Sequence, residues 1–183
     1  EIQNPDEQEN QEEQSSKPEN SKKTKADNKS ATVTFGDFVI HPASRLEQYD
    51  RGEIKAYKTA ARKGEGGFFA LVSEPYLVPR HNKVEVYQGM ININLARLEK
   101  HGVVYWPPAG QERYVFIYKD NLGKKILQPG ETQGLGVKSE VVMRQILKPM
   151  AGILQDFRDR DFVHGALNPY NIYDGGSPNF EKL

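Results

Sequence analysis

Cysteine is absent from this chain of 183 residues, tryptophan occurs once, and neither sign of charge is in excess, with 25 basic residues against 25 acidic ones. Lack of cysteine excludes a disulfide framework, a thiol nucleophile and a Cys-based zinc site, and it fits a reducing compartment such as the cytoplasm. The balanced charge leaves no global field to attract nucleic acid or an anionic membrane. No apolar run reaches the roughly 18–20 residues that span a bilayer. His41, His81 and His101 lack a metal-ligand spacing, and no G-x-S-x-G nucleophile elbow is present.

Aromatics are also missing from the first 31 residues, where Ile2 is the one aliphatic side chain larger than alanine. Gln, Glu, Asn, Lys and Ser cannot bury enough apolar surface to offset the entropy of ordering, so residues 1–32 are expected to form a disordered polar linker. Lys22, Lys23, Lys25 and Lys29 are interrupted by Asp27 and carry no interleaved aromatic, so they read as solvated linker charge rather than a nucleic-acid patch. Because the chain opens on Glu1, a natural start further upstream is expected.

Folded structure is expected from Val33. Val33, Phe35, Phe38, Val39 and Ile40 form a β-rich patch ending at Pro42, and Ile54–Ala60 alternates as a half-buried strand does. Gly64, Gly66 and Gly67 then read as a hairpin turn into the apolar strand Phe68–Val72. Lys83–Lys100 is read as a helix with Val86, Met90, Ile93, Leu95 and Leu98 toward the core, weakened by Gly89 and Ile91. Short strands follow at Val103–Trp106 and Arg113–Tyr118, with Trp106 expected to anchor the core or a sheet edge. From Ser139, taken as an N-cap, apolar residues from Val142 to Phe157 recur at three and four, which predicts a mostly buried helix. Pro149 within that pattern removes a backbone donor and should kink it.

After this helix comes His164-Gly165-Ala166-Leu167-Asn168-Pro169-Tyr170-Asn171. The spacing of His164, Leu167 and Asn171, with the order of strands, helix, strands, linker and long helix before it, resembles a protein kinase and its catalytic loop H-R-D-L-x-x-x-N. The resemblance implies an α+β, kinase-like two-lobe fold: an N-lobe of antiparallel sheet plus one helix over 33–119, then the hinge and first part of a helical C-lobe over 120–183. Tyr118, Lys119 and Asn121 fall at the hinge, where backbone groups would meet an adenine ring.

The departures from the family pattern weigh on function. Ala166 stands where the catalytic Asp belongs, and a methyl group cannot accept a proton; a positioned base contributes about a hundredfold to ten-thousandfold in rate. The first hairpin, near Tyr49-Asp50-Arg51-Gly52, has one glycine in place of the phosphate-cradling three. Ser73 closes the strand that should end in the phosphate-gripping Lys, so Glu85 and Glu99, the candidate partners for that Lys, read as solvated helix charges. Asn171 occupies the family's metal-ligand position but needs a carboxylate beside it to hold magnesium, and Asp174 is too close in sequence to be the D-F-G aspartate. His164 reads as a packed scaffold residue, and Asn171 can serve its own loop.

These features lead to a catalytically inactive, kinase-like domain acting as a binding, scaffolding or regulatory module. No cofactor is expected, and the partners implied are other proteins or the remaining C-lobe of a longer protein. The rival is an atypical ATP- and magnesium-dependent phosphoryl or nucleotidyl transferase with relocated catalytic groups. A third reading makes the likeness accidental, an unrelated α+β interaction domain, in which case no helix should lead into His164 and no hinge should lie between Tyr118 and Gly123.

Overall fold

A computed structural model describes residues 31–64, 66–127, 138–165 and 167–176. The expected linker over 1–32 therefore lies almost wholly outside the described residues, as does Ala166. The described part is a mixed α/β structure: a six-stranded antiparallel sheet with few helices. Strand β1 (Val33–Phe35) turns back into β2 (Phe38–Arg45), followed by β3 (Lys55–Ala61), β4 (Phe68–Val72), helix α1 (His81–Gln88), β5 (Leu98–Trp106) and β6 (Gln111–Lys119). The sheet order is β1-β2-β3-β4-β6-β5.

Alternation along β4 divides the core in two. Ala70 and Val72 face Val33, Ile40, Trp106, Val115 and Ile117, whereas Phe69 and Leu71 face Tyr49, Ala56, Leu122 and Tyr173. The period of two puts successive side chains on opposite faces, so both faces of this continuous apolar strand are covered. Trp106 is buried in the first cluster beside Tyr57, as a core anchor. The outer strands β1 and β5 come together across this cluster. Phe35 of β1 lies against Gly102 of β5, and the Lys100 ammonium sits 5.1 Å from the Phe35 ring centroid. Gly102 has φ of 149°, and a Cβ there would come within 3.2 Å of the Phe35 ring.

Several expectations are revised. The β-rich patch does not stop at Pro42: it is a β1–β2 hairpin, and Pro42 lies in β2 where the register with β3 shifts between Ile40 and Arg45. A missing N–H is tolerated at such an irregularity. The helix expected over Lys83–Lys100 ends at Gln88. Gly89 closes it, and an Asn92 side chain accepting the Asn94 amide at 2.9 Å turns the chain away. Leu98 then begins β5, so Met90 and Leu98 are buried as expected while Ile93 is exposed. Glu99 is consequently a strand residue paired with Arg97, and Glu85 pairs with His81 along α1.

The helix before the loop is continuous but irregular: a first turn α2 (Ser139–Val141), a π-helical stretch Val142–Leu147, then α3 (Lys148–Asp159). Pro149 sits in the first turn of α3, and the wider turn ahead of it lets Lys148 donate to the Met143 carbonyl. A proline is tolerated there because the looser i→i−5 turn leaves room for its ring where it has no N–H to donate. Ser139 is not the cap; Lys138 holds that position, with no side-chain hydrogen bond. Nor is the stripe mostly buried: Ile146 and Phe157 are, but Met143, Leu147 and Leu154 remain exposed. Among the described residues no helix is long and apolar enough to cross a membrane.

Candidate functional site

The connection from β2 to β3 shapes the site. Asp50 fixes it by accepting the Ala56 amide at 2.8 Å and pairing with Arg45 and Lys55. The preceding turn, Glu47–Tyr49, directs Tyr49 inward. Its ring lies 4.5 Å from that of Phe69 and 5.8 Å from that of Tyr173, and its hydroxyl donates to Asp120 Oδ1 at 2.8 Å. Burial, and then the Asp120 carboxylate, push the Tyr49 phenol well above its ordinary pKa. A buried aromatic of this kind is worth on the order of 2–3 kcal/mol in apolar transfer alone.

Asp120 belongs to the segment expected to serve as a hinge, and two backbone amides of that segment are already engaged. Lys119 N–H donates to the Arg97 carbonyl at 3.1 Å, and Asp120 N–H to the Gly67 carbonyl at 2.8 Å. Further along, the segment pairs with the stretch that follows the His164 loop. Gly175 donates to Leu122 at 2.9 Å, Asp174 to Lys124 at 2.9 Å and Ile126 to Ile172 at 2.9 Å. Asp174 Oδ1 accepts the amides of Lys124 and Gly176, each at 2.9 Å, so this carboxylate is a loop tie. Gly123 has φ of 71°, and a Cβ on it would fall 2.0 Å from Asp174 Oδ1. No side chain fits at that crossing.

The loop itself is built locally. Asn168 Oδ1 accepts the Tyr170 amide at 2.9 Å and caps a short turn, Pro169–Asn171, in which the Asn171 amide donates to the Asn168 carbonyl at 3.0 Å. His164 is half-buried with its ring stacked 5.6 Å from that of Phe157. Desolvation, and then the Arg51 guanidinium, lower its pKa, so the imidazole is neutral at pH 7.

Between these pieces lies a cavity of about 340 Å³. It brings together three of the residues singled out from the sequence, His164, Asn121 and Asn171, with Arg51, Tyr87 and Tyr173. Ser73, Tyr118, Lys119 and Asn168 are not among its lining residues. Ser73 is buried, its hydroxyl donating to the Tyr114 carbonyl at 3.1 Å. Tyr118 has its phenol enclosed between Phe69 and Tyr87, and desolvation pushes its pKa up to about 12. Among the described residues no three His, Cys, Asp or Glu side chains converge as a metal site, so Asn171 has no such cluster beside it.

The sequence reading passed over Tyr49, Arg51, Tyr87 and Tyr173. The usable signal was Tyr49 itself, an aromatic in the hairpin that the family resemblance fills with glycine. No protein-family model and no curated protein matches this chain. Among solved structures it is similar to one described as a Neurospora crassa PAN3 pseudokinase mutant, with 16% identity and a TM-score of 0.44. That alignment covers 64% of this chain and 31% of the other, so the chain spans less than a third of the length of that structure.

Proposed function

We propose that this chain is a degenerate kinase-like domain that does not transfer phosphate and works through binding. The observation that carries the reading is Tyr49. In the hairpin where a kinase bares backbone amides to phosphates, this chain turns a tyrosine inward and bonds it to Asp120 of the hinge segment. That ring packs on Phe69 and Tyr173, and the Lys119 and Asp120 amides are spent on Arg97 and Gly67, which leaves fewer groups to receive a nucleotide.

The residue types support the same reading. Ala166 offers no base, Ser73 offers no cation, and the first hairpin offers no glycine cradle. Positioning and charge stabilisation supply most of phosphoryl-transfer catalysis, so losing base, Lys and cradle together removes it at several points. The helix α3 leading toward His164 weighs against an accidental likeness, which required no helix there. With chemistry removed, the domain's role is scaffolding or regulation through protein contacts.

The test is a phosphotransfer assay with γ-labelled ATP, magnesium and a general protein substrate. The expected result is no incorporation above that of the Asn171→Ala variant. Magnesium-dependent transfer that disappears in Asn171→Ala would establish the transferase reading instead.

A further inference from the structure

We propose that the contact between His81 and His101 is an acid-released clasp that holds the first turn of α1 against strand β5. His81 opens α1, and its ring meets that of His101 edge-on, with centroids 5.4 Å apart. His101 also stacks on Tyr114 of β6 at 6.0 Å, and its Nδ1 lies 2.7 Å from the Tyr114 hydroxyl. Two imidazoles meet in this way at low cost only while at least one is neutral, because two imidazolium rings in contact repel. Nδ1 accepts the phenolic proton when the ring carries its own on Nε2. Once His101 is protonated both of its nitrogens are donors, and the buried Tyr114 hydroxyl loses that acceptor.

The charges around the pair do little to offset a second proton. From α1, Glu85 Oε1 lies 3.0 Å from His81 Nε2, but both side chains are exposed, where an ion pair is worth little. Arg80 at the N-cap adds a positive charge next to His81, and a helix N-terminus disfavours a cation. From β6 the group facing His101 is the Tyr114 phenol, which desolvation keeps protonated. On β5 itself Glu99 is paired with Arg97, and Lys100 lies over Phe35. Burial, and then His81, lower the His101 pKa, while Glu85 opposes them with a smaller effect.

The two ends of α1 are held by different chemistry. At the C-terminal end Gln88 Nε2 donates to the Glu99 carbonyl at 2.7 Å, and the Tyr87 hydroxyl donates to the Ala96 carbonyl at 2.8 Å. Neither bond changes with pH near neutrality, since burial raises the Tyr87 pKa. At the N-terminal end no side chain caps the helix. That turn rests on the histidine contact, on buried Val84 and on Lys83, whose ammonium donates to the Asp161 carbonyl just past α3. Acid therefore frays the first turn, frees Lys83 from Asp161 and leaves the last turn docked. The clasp does not depend on whether the domain transfers phosphate, so the two readings fail separately.

The test is amide hydrogen exchange by NMR on the full chain at about pH 7.5 and about pH 5, corrected for intrinsic exchange. Protection of Lys83 and Val84 is expected to fall about tenfold more than that of β3 and β4, with Gly89 following the strands. His101→Gln, which cannot take up a proton, is expected to abolish that difference between the two pH values, and His81→Gln to do the same. No extra loss at Lys83 and Val84, an equal loss at Gly89, or the same loss in either folded variant overturns the proposal. Should His101→Gln fail to fold, His81→Gln decides, because His81 is exposed and its replacement removes the like charge.

Discussion

Tyr49 donates its phenolic proton to Asp120 at 2.8 Å, closing a contact between residues 71 positions apart. The bond ties the β2–β3 connection to the segment after β6, and the ring beneath it touches Phe69 and Tyr173. One side chain thus joins the sheet to the loop that carries His164.

Separate substitutions resolve the two parts of that contact. Tyr49→Phe removes the hydrogen bond alone and is expected to cost about 1 kcal/mol, because Asp120 is exposed and water takes the proton's place. Tyr49→Ala also removes the ring and is expected to cost about 3–5 kcal/mol. Urea denaturation measures both, and equal losses would show that the ring contributes little.

Ser73 gives a second prediction. Its side chain is buried on the Tyr114 carbonyl, so Ser73→Lys places an ammonium in a packed site instead of in the cavity. The expected loss is about 3 kcal/mol or more, with no gain of ATP binding, whereas Ser73→Ala is expected to cost about 1 kcal/mol. A stable Ser73→Lys variant that binds ATP would show that this position reaches the nucleotide cleft.

Gly123→Ala is expected to loosen the pairing of residues 122–126 with 172–176. The new Cβ would overlap Asp174 Oδ1 and demand a positive φ from alanine, which together cost about 2 kcal/mol or more. Amide hydrogen exchange at Lys124, Asp174 and Gly175 should accelerate well before exchange in β3 and β4 does.

Stability should fall at both ends of the pH scale. Burial pushes Tyr118 up to about 12 and raises Tyr49, Tyr87 and Tyr173 as well, while an unfolded tyrosine titrates near 10. The folded state therefore holds these protons more tightly, and the contribution is intact below pH 10 and lost as pH rises through 12. His101 and His164 are lowered by burial, so the unfolded chain takes up protons first and stability declines as pH falls below about 6.5. Urea midpoints from pH 5 to 12 should show a plateau between the two limbs, and His164→Gln should make the acid limb shallower.

Much of the strand pattern is legible because β3, β4 and β6 announce themselves locally, by alternation or by unbroken apolar runs. Lys83–Lys100 misleads because Val84, Met90 and Leu98 are all buried, yet they reach the core from a helix, a turn and a strand. Their apolar character says nothing of period once Gly89 intervenes. The turn Pro169–Asn171 depends on sequence neighbours alone, since its cap and closing bond are made by residues two and three apart. Tyr49 and Arg51 do not, because what they do depends on partners brought from Asp120, Leu122 and Tyr173 by the sheet.

With Tyr49 turned inward onto Asp120 and no base, Lys or glycine cradle, the domain is expected to have no use for ATP. The most direct measurement is a thermal-shift titration of the parent chain with ATP, with and without magnesium. No rise in melting temperature from magnesium is the predicted result, leaving protein partners as the place to look for function. A magnesium-dependent rise that Asn171→Ala abolishes would overturn this, because it would mean that Asn171 still holds a metal with a carboxylate partner and that the domain admits nucleotide.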